Sequence, residues 1–136
     1  MNERITPLEK TALKMLASRA RKHEQLILSQ IAQAQVETRK RTSAGFITNF
    51  TIPSDIATLS TNSKRKLLEI YAEHPNVPAG AEFLLWFEYG RLICLEGYVF
   101  IGNWPSDESG FYFVTPYDSL CAELLNTEYI ENYNPL

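Results

Sequence analysis

The first third of the sequence carries a capped, uninterrupted helical stripe, and that feature restricts the fold more than any other. In Thr6-Pro7-Leu8-Glu9 the threonine hydroxyl can accept from the Glu9 amide, and the Glu9 carboxylate can reach back to the Thr6 amide. Pro7 fits the first helical position, where no amide hydrogen is needed. Behind this cap Leu8, Ala12, Leu16, Ala20, His23, Ile27, Ile31 and Ala34 recur at steps of three and four. No Gly or Pro intervenes between Leu8 and Ala44. The pattern predicts one N-terminal helix of about 28 residues, roughly 42 Å long at the rise of an α-helix. The stripe thins to small and polar residues around His23, where a bend or break would fall. Arg39-Lys40-Arg41 is expected to close the helix, placing cations where its dipole favours them.

From Gly45 the period changes to two. Phe46, Thr48, Phe50 and Ile52 alternate with Ile47, Asn49 and Thr51, a strand stopped by Pro53-Ser54-Asp55. Leu67 to Ala72 reads as a second strand, with a short helix as the alternative, and His74 to Gly80 reads as a loop. Glu82 to Glu88 is apolar on both faces, the pattern of a central, doubly covered strand, with Trp86 in the core. Tyr89-Gly90 then makes a tight connection to a returning strand, Arg91 to Ile101. Gly97 inside that strand is expected to mark a bulge. Gly102 to Gly110 is a polar loop, and Phe111 to Val114 a further strand. Thr115-Pro116-Tyr117-Asp118 repeats the helix-start signal ahead of Leu120, Cys121, Leu124 and Leu125. The expected fold is therefore α+β: a long N-terminal helix packed on an antiparallel sheet of about four to six strands, with a short C-terminal helix. At 136 residues, this is one domain spanning the chain.

The charges are unevenly placed. Residues 1–41 carry nine Lys/Arg against four Glu, whereas residues 42–136 carry four against twelve Asp/Glu, for a net charge of −3. Such asymmetry suits an acidic face for a basic partner, or attraction between a basic helix and an acidic sheet within one molecule. The basic run at 39–41 lacks interleaved aromatics, so no nucleic-acid interface is expected. The longest apolar run, Phe83 to Phe87, is too short to cross a bilayer, and the N-terminal residues hold no secretory apolar segment. The default expectation is a cytoplasmic protein with no membrane association.

Catalytic and cofactor signals are weak. The scattered glycines form no phosphate-cradling loop, and two His with two Cys give no metal-ligand spacing, so neither cofactor nor metal is expected. Cys94 and Cys121 read as small core residues, and Cys94, between Ile93 and Leu95, lacks the electropositive setting that makes a thiolate. Glu96, beside Gly97 and the aromatic Tyr98 and Phe100, could be a general acid or base if enclosed in a pocket, or it could bond a neighbouring strand or face solvent. Trp104, in a loop with Asp107 and Glu108, is the leading partner-binding candidate; Glu96 and Tyr112 complete that candidate surface. The alternative for Trp104 is to fold back over the open end of the sheet.

The segments Gly45-Phe46-Ile47-Thr48-Asn49-Phe50, Ala79 to Leu85 and Gly90-Arg91-Leu92-Ile93-Cys94-Leu95-Glu96-Gly97-Tyr98, with Trp104-Pro105 behind them, resemble a group of small uncharacterised bacterial proteins. The shared features are a GFxTxF strand and a GRLxxLEGY hairpin, covering roughly residues 45–105. The resemblance implies a helix-plus-sheet domain, and some such proteins resemble the immunity partners of bacterial toxins. The function expected on these grounds is a binding or inhibitory protein that occludes a basic toxin domain. Its alternatives are a small-ligand or enzymatic helix-on-sheet domain with Glu96 in a pocket, and a homo-oligomer subunit.

Overall fold

The computed structural model describes residues 4–61 and 63–114. Helices α1 (Pro7–Ser18) and α2 (Glu24–Gln33) precede strands β1 (Gln35–Arg41), β2 (Gly45–Thr51), β3 (Arg65–His74), β4 (Val77–Glu88), β5 (Arg91–Val99) and β6 (Tyr112–Phe113). All strand pairs are antiparallel, in the order β1-β2-β5-β4-β3-β6. The expected α+β class and antiparallel sheet are present. The expected short C-terminal helix and Cys121 lie outside the described residues. No helix among the described residues is long and apolar enough to cross a membrane.

The single long helix is not formed. The capping box at Thr6 and Glu9 starts α1 as predicted, but α1 ends after 12 residues. Arg21 takes a positive φ of 54°, and a 3₁₀ turn at Arg21–His23 redirects the chain into α2. Broken at this point, the chain can lay Leu13, Leu16 and Ala17 over β3 and β4, and Ile27 over β5. Arg39-Lys40-Arg41 also departs from expectation, because it belongs to the edge strand β1 rather than a helix end. A bulge at Glu37 sets Val36, Arg39 and Arg41 on the helix side with Phe50, Thr48 and Phe46, and Thr38 and Lys40 on the other with Asn49 and Ile47. Thr42 closes the hairpin to β2 by accepting from the Ala44 and Gly45 amides. The segment His74 to Gly80 is not a loop: Pro75 and Asn76 make a tight turn between His74, which ends β3, and Val77, which begins β4.

The two sheet faces have different fates. Toward the helices point Phe46, Thr48 and Phe50 of β2, Leu68, Ile70 and Ala72 of β3, and Ala81, Phe83, Leu85 and Phe87 of β4, all buried. Each large apolar side chain removed from water here contributes about 1.5–3 kcal/mol. Gly97 does not mark a bulge. It faces this core, where an added Cβ would lie 2.6 Å from the Phe46 ring and 3.1 Å from those of Phe83 and Trp104. The bulge in the β4–β5 hairpin comes earlier: Phe87 pairs with Leu92 but Trp86 with Cys94, leaving Ile93 extra. Trp86, alternating with the buried Leu85 and Phe87 of β4, turns to the face opposite the helices, not into the core beneath them as expected.

Two buried polar side chains fix the helices to the sheet. Glu9, 2% exposed, is both the capping-box carboxylate and the partner of Arg39, which donates from Nε at 3.0 Å and from Nη2 at 2.6 Å. Thr48 of β2 donates its hydroxyl to the same carboxylate. Burial pushes the Glu9 carboxyl up, but the hydrogen bonds of Arg39, Thr48 and Thr6 outweigh it and hold the group below its ordinary value. Gln30, fully buried in α2, donates to the carbonyls of Ala57 and Gly90 and accepts from the Leu92 amide at 2.7 Å. It thereby ties α2 to the Tyr89-Gly90 turn, whose positive φ values of 50° and 78° make the tight connection expected there.

Glu9→Leu or Arg39→Met alone leaves a buried charge without its partner and is expected to cost about 3–5 kcal/mol in urea unfolding. The double variant should regain much of that loss; purely additive losses would show that the pair is uncoupled. Because the folded Glu9 value is depressed, its contribution is present above the ordinary 4.5 and fades as pH falls through the folded value. That acid sensitivity should be weaker in the double variant.

Candidate functional site

The face turned away from α1 and α2 is acidic and aromatic. Because opposite residues of paired strands share a face, Glu69, Leu84, Glu96 and Ile47 form one row across β3, β4, β5 and β2. In the next row Tyr71, Glu82 and Tyr98 lie side by side. Trp86 and Cys94 make the row on the other side. Three carboxylates from three adjacent strands therefore converge within a frame of Trp86, Tyr98 and Tyr71.

Neighbouring groups hold these side chains in place. Tyr98 donates its hydroxyl to Glu82 at 3.0 Å, and the indole Nε1 of Trp86 reaches Glu96 at 3.4 Å. Tyr71 donates to the Ala79 carbonyl at 3.2 Å, its ring lying against Gly80, where a Cβ would come within 2.2 Å of it. Phe100 stacks beside Tyr71 and meets Tyr98 edge-on. Leu84 is 9% exposed, whereas Ile47 and Tyr71 are 39% and 38% exposed.

The electrostatics follow from this crowding of like charge. Burial, then the adjacent Glu69 carboxylate and Glu96, raise the Glu82 carboxyl above its ordinary value, against the hydrogen bond from Tyr98. Burial and its bond to Glu82 push the Tyr98 phenol up to about 12. Burial, assisted by Glu96, moves the Cys94 thiol up to about 11, so it stays protonated at neutral pH, in keeping with its mid-strand position.

The structure separates the five candidates into two places. Glu96 belongs to the acidic row, and Tyr112, 63% exposed, pairs with Glu73 and so sits at the outer edge of the same face. Trp104, Asp107 and Glu108 lie on the helix side. The Trp104 ring packs on Phe46, Phe83 and Phe111 at 5.4, 5.8 and 4.9 Å, closing one end of the core. Its indole donates to Glu108 at 2.7 Å, and Glu108 also takes Arg41 at 3.2 Å. Asp107 accepts from Ser109, whose bonds keep its carboxyl below the ordinary value. Folding back over the end of the sheet, the alternative read for Trp104, describes this geometry.

Glu69 and Glu82 escaped the sequence reading. Their signal was alternation: each stands on the polar side of a strand otherwise apolar, but the Ile93 bulge hides that they share a face with Glu96. Among the described residues no group of His, Cys, Asp and Glu is arranged to hold a metal ion.

Glu82→Gln tests this geometry directly. The carboxyl is raised in the folded protein, so its ionisation opposes folding once pH exceeds the ordinary 4.5. The variant should melt higher than wild type at neutral pH, with the gap closing in acid, and its Tyr98 phenol should ionise at lower pH. An unchanged Tyr98 titration would show that the two side chains do not interact. No protein-family model matches this chain, and no curated protein or solved structure matches it.

Proposed function

We propose that this protein binds and inhibits a basic protein partner, in the manner of an immunity protein occluding a bacterial toxin domain. The observation that supports the reading is the convergence of Glu69, Glu82 and Glu96 among aromatic side chains on the sheet face opposite both helices. Carboxylates that crowd one another gain most from an arriving Lys or Arg, because the cation relieves their mutual repulsion as well as forming its own contacts. Trp86, Tyr98 and Tyr71 offer ring surface for such a cation. Trp and Tyr are among the residues enriched at interface hot spots.

Charge also argues for a partner other than a second copy. A two-fold contact centred on this cluster would set the three carboxylates of one copy against those of the other. After Arg91 the sequence holds no basic side chain, while residues 42–136 carry twelve acidic ones, a field that steers a cationic protein. Within this reading Glu96 and Tyr112 are contact residues. Trp104 and Glu108 act indirectly, by closing the core beneath the sheet.

The test compares wild type with the double reversal Glu69→Lys, Glu96→Lys as baits in lysate of the source cell. Wild type is expected to retain a protein of high isoelectric point, to lose it as salt is raised, and to inhibit its activity once purified. The double reversal should retain at least tenfold less, whereas Asp107→Asn should retain it fully. Equal retention by wild type and the double reversal would overturn the surface assignment.

A further inference from the structure

We propose that the groove between α1 and β6 is the docking site of this chain's own segment 116–125, seated there as an amphipathic helix. The groove holds about 410 Å³, and its apolar wall is made by Pro7, Leu8, Phe111 and Phe113, with Thr11 beside them. Leu8 and Phe113 belong to the buried core, whereas Pro7 and Thr11 are exposed. Met15, partly buried, continues the same flank of α1 four residues beyond Thr11. Glu108 at the rim is already held by Arg41 and by the Trp104 indole.

The place where the chain leaves β6 identifies the occupant. The Val114 amide donates to the Tyr71 carbonyl at 2.9 Å, and the Val114 carbonyl accepts from Arg19 Nη1 at 3.4 Å. Arg19 is the C-terminal cap of α1, so residue 115 starts beside the last turn of that helix, with the groove leading back toward Pro7. From Arg19 back to Leu8, α1 measures about 16 Å at the rise of an α-helix. The ten residues 116–125 would span about 15 Å in the same conformation. Their sequence has the start signal Thr115-Pro116-Tyr117-Asp118 and the stripe Tyr117, Leu120, Cys121 and Leu124 that would face the groove. Burying these side chains against Leu8, Phe111 and Phe113 removes apolar surface from water on both partners.

Charge selects the same place. Residues 115–136 carry Asp118, Glu123, Glu128 and Glu131 and no Lys or Arg. Lys10 and Lys14, one turn beyond Pro7 and Thr11, are exposed on α1, and Lys22 is exposed past its end. The opposite sheet face centres on Glu69, Glu82 and Glu96, which would repel this segment. Seated on the α1 flank, the segment leaves that face open.

In the full chain carrying Cys94→Ala and Cys121→Ala, Ser119→Cys places a nitroxide on the polar side of the stripe, and NMR reads the broadening of each amide. The amides of Thr11, Lys14 and Met15 are expected to lose most of their intensity, while those of Asn49 and Glu96 keep theirs. Adding Leu120→Asp and Leu124→Asp should restore the α1 signals with the sheet amides unmoved. Full intensity in α1 with the label attached would overturn the proposal. So would broadening at Glu82, Glu96 and Tyr98 with α1 spared, or α1 broadening that survives the double substitution.

Discussion

A carboxylate inside the first turn of α1 has to be met by a cation and by hydrogen-bond donors, and the rest of the architecture is arranged around that requirement. Glu9 satisfies the orphan amide of its own helix start, receives both arms of the Arg39 guanidinium, and takes the Thr48 hydroxyl. One side chain thus ties the helix, the edge strand and the strand beside it into one register. Arg39 also donates to the Arg4 carbonyl at 2.8 Å, so the chain entering the helix is held by the same group. Desolvating an ion pair costs several kcal/mol per charge, which such a complete set of partners offsets. At the other end Gln30 does with three neutral hydrogen bonds what Glu9 does with charge.

This arrangement fills one sheet face completely and determines what remains for the other. Both helices lie over the same face, joined by a 3₁₀ turn instead of running on as a rod. Strand β4, central in the sheet, carries Leu84 and Trp86 on its outer side, yet the neighbours of Leu84 there are Glu69 and Glu96 rather than more apolar side chains. A surface that is half apolar and locally acidic is poorly served by water alone, because ring surface and repelling carboxylates stand together. This physical tension motivates reading it as a docking surface.

Much of this was legible in the sequence, and the failures have identifiable causes. The capping box of Thr6 and Glu9 was readable because it depends on four adjacent residues. That the same Glu9 is a buried ion partner was not readable, since Arg39 is thirty positions away. The break at Arg21 had only a thinning of the stripe to announce it; no Gly or Asn marks the positive φ. Basic residues 39–41 mimic a helix end because cations suit that position, whereas pairing with β2 decides their conformation. Counting back from the Tyr89-Gly90 turn would set Phe83 opposite Glu96, but the Ile93 bulge sets Leu84 there instead. One extra residue therefore moves Glu96 to the outer face, where Trp86 already lies by alternation with the buried Leu85 and Phe87. Trp86 was expected in the core because Glu82 to Glu88 reads as apolar on both faces.

The central claim is that the face bearing Glu69, Glu82 and Glu96, opposite the helices, is where a partner docks. Photo-cross-linking measures this most directly, with a benzophenone side chain placed at Ile47 on that face or at the exposed Lys14 of α1. In source-cell lysate the probe at Ile47 should capture a basic protein in a salt-sensitive manner, and the probe at Lys14 should not. Capture of the same protein from Lys14 and not from Ile47 would contradict the account.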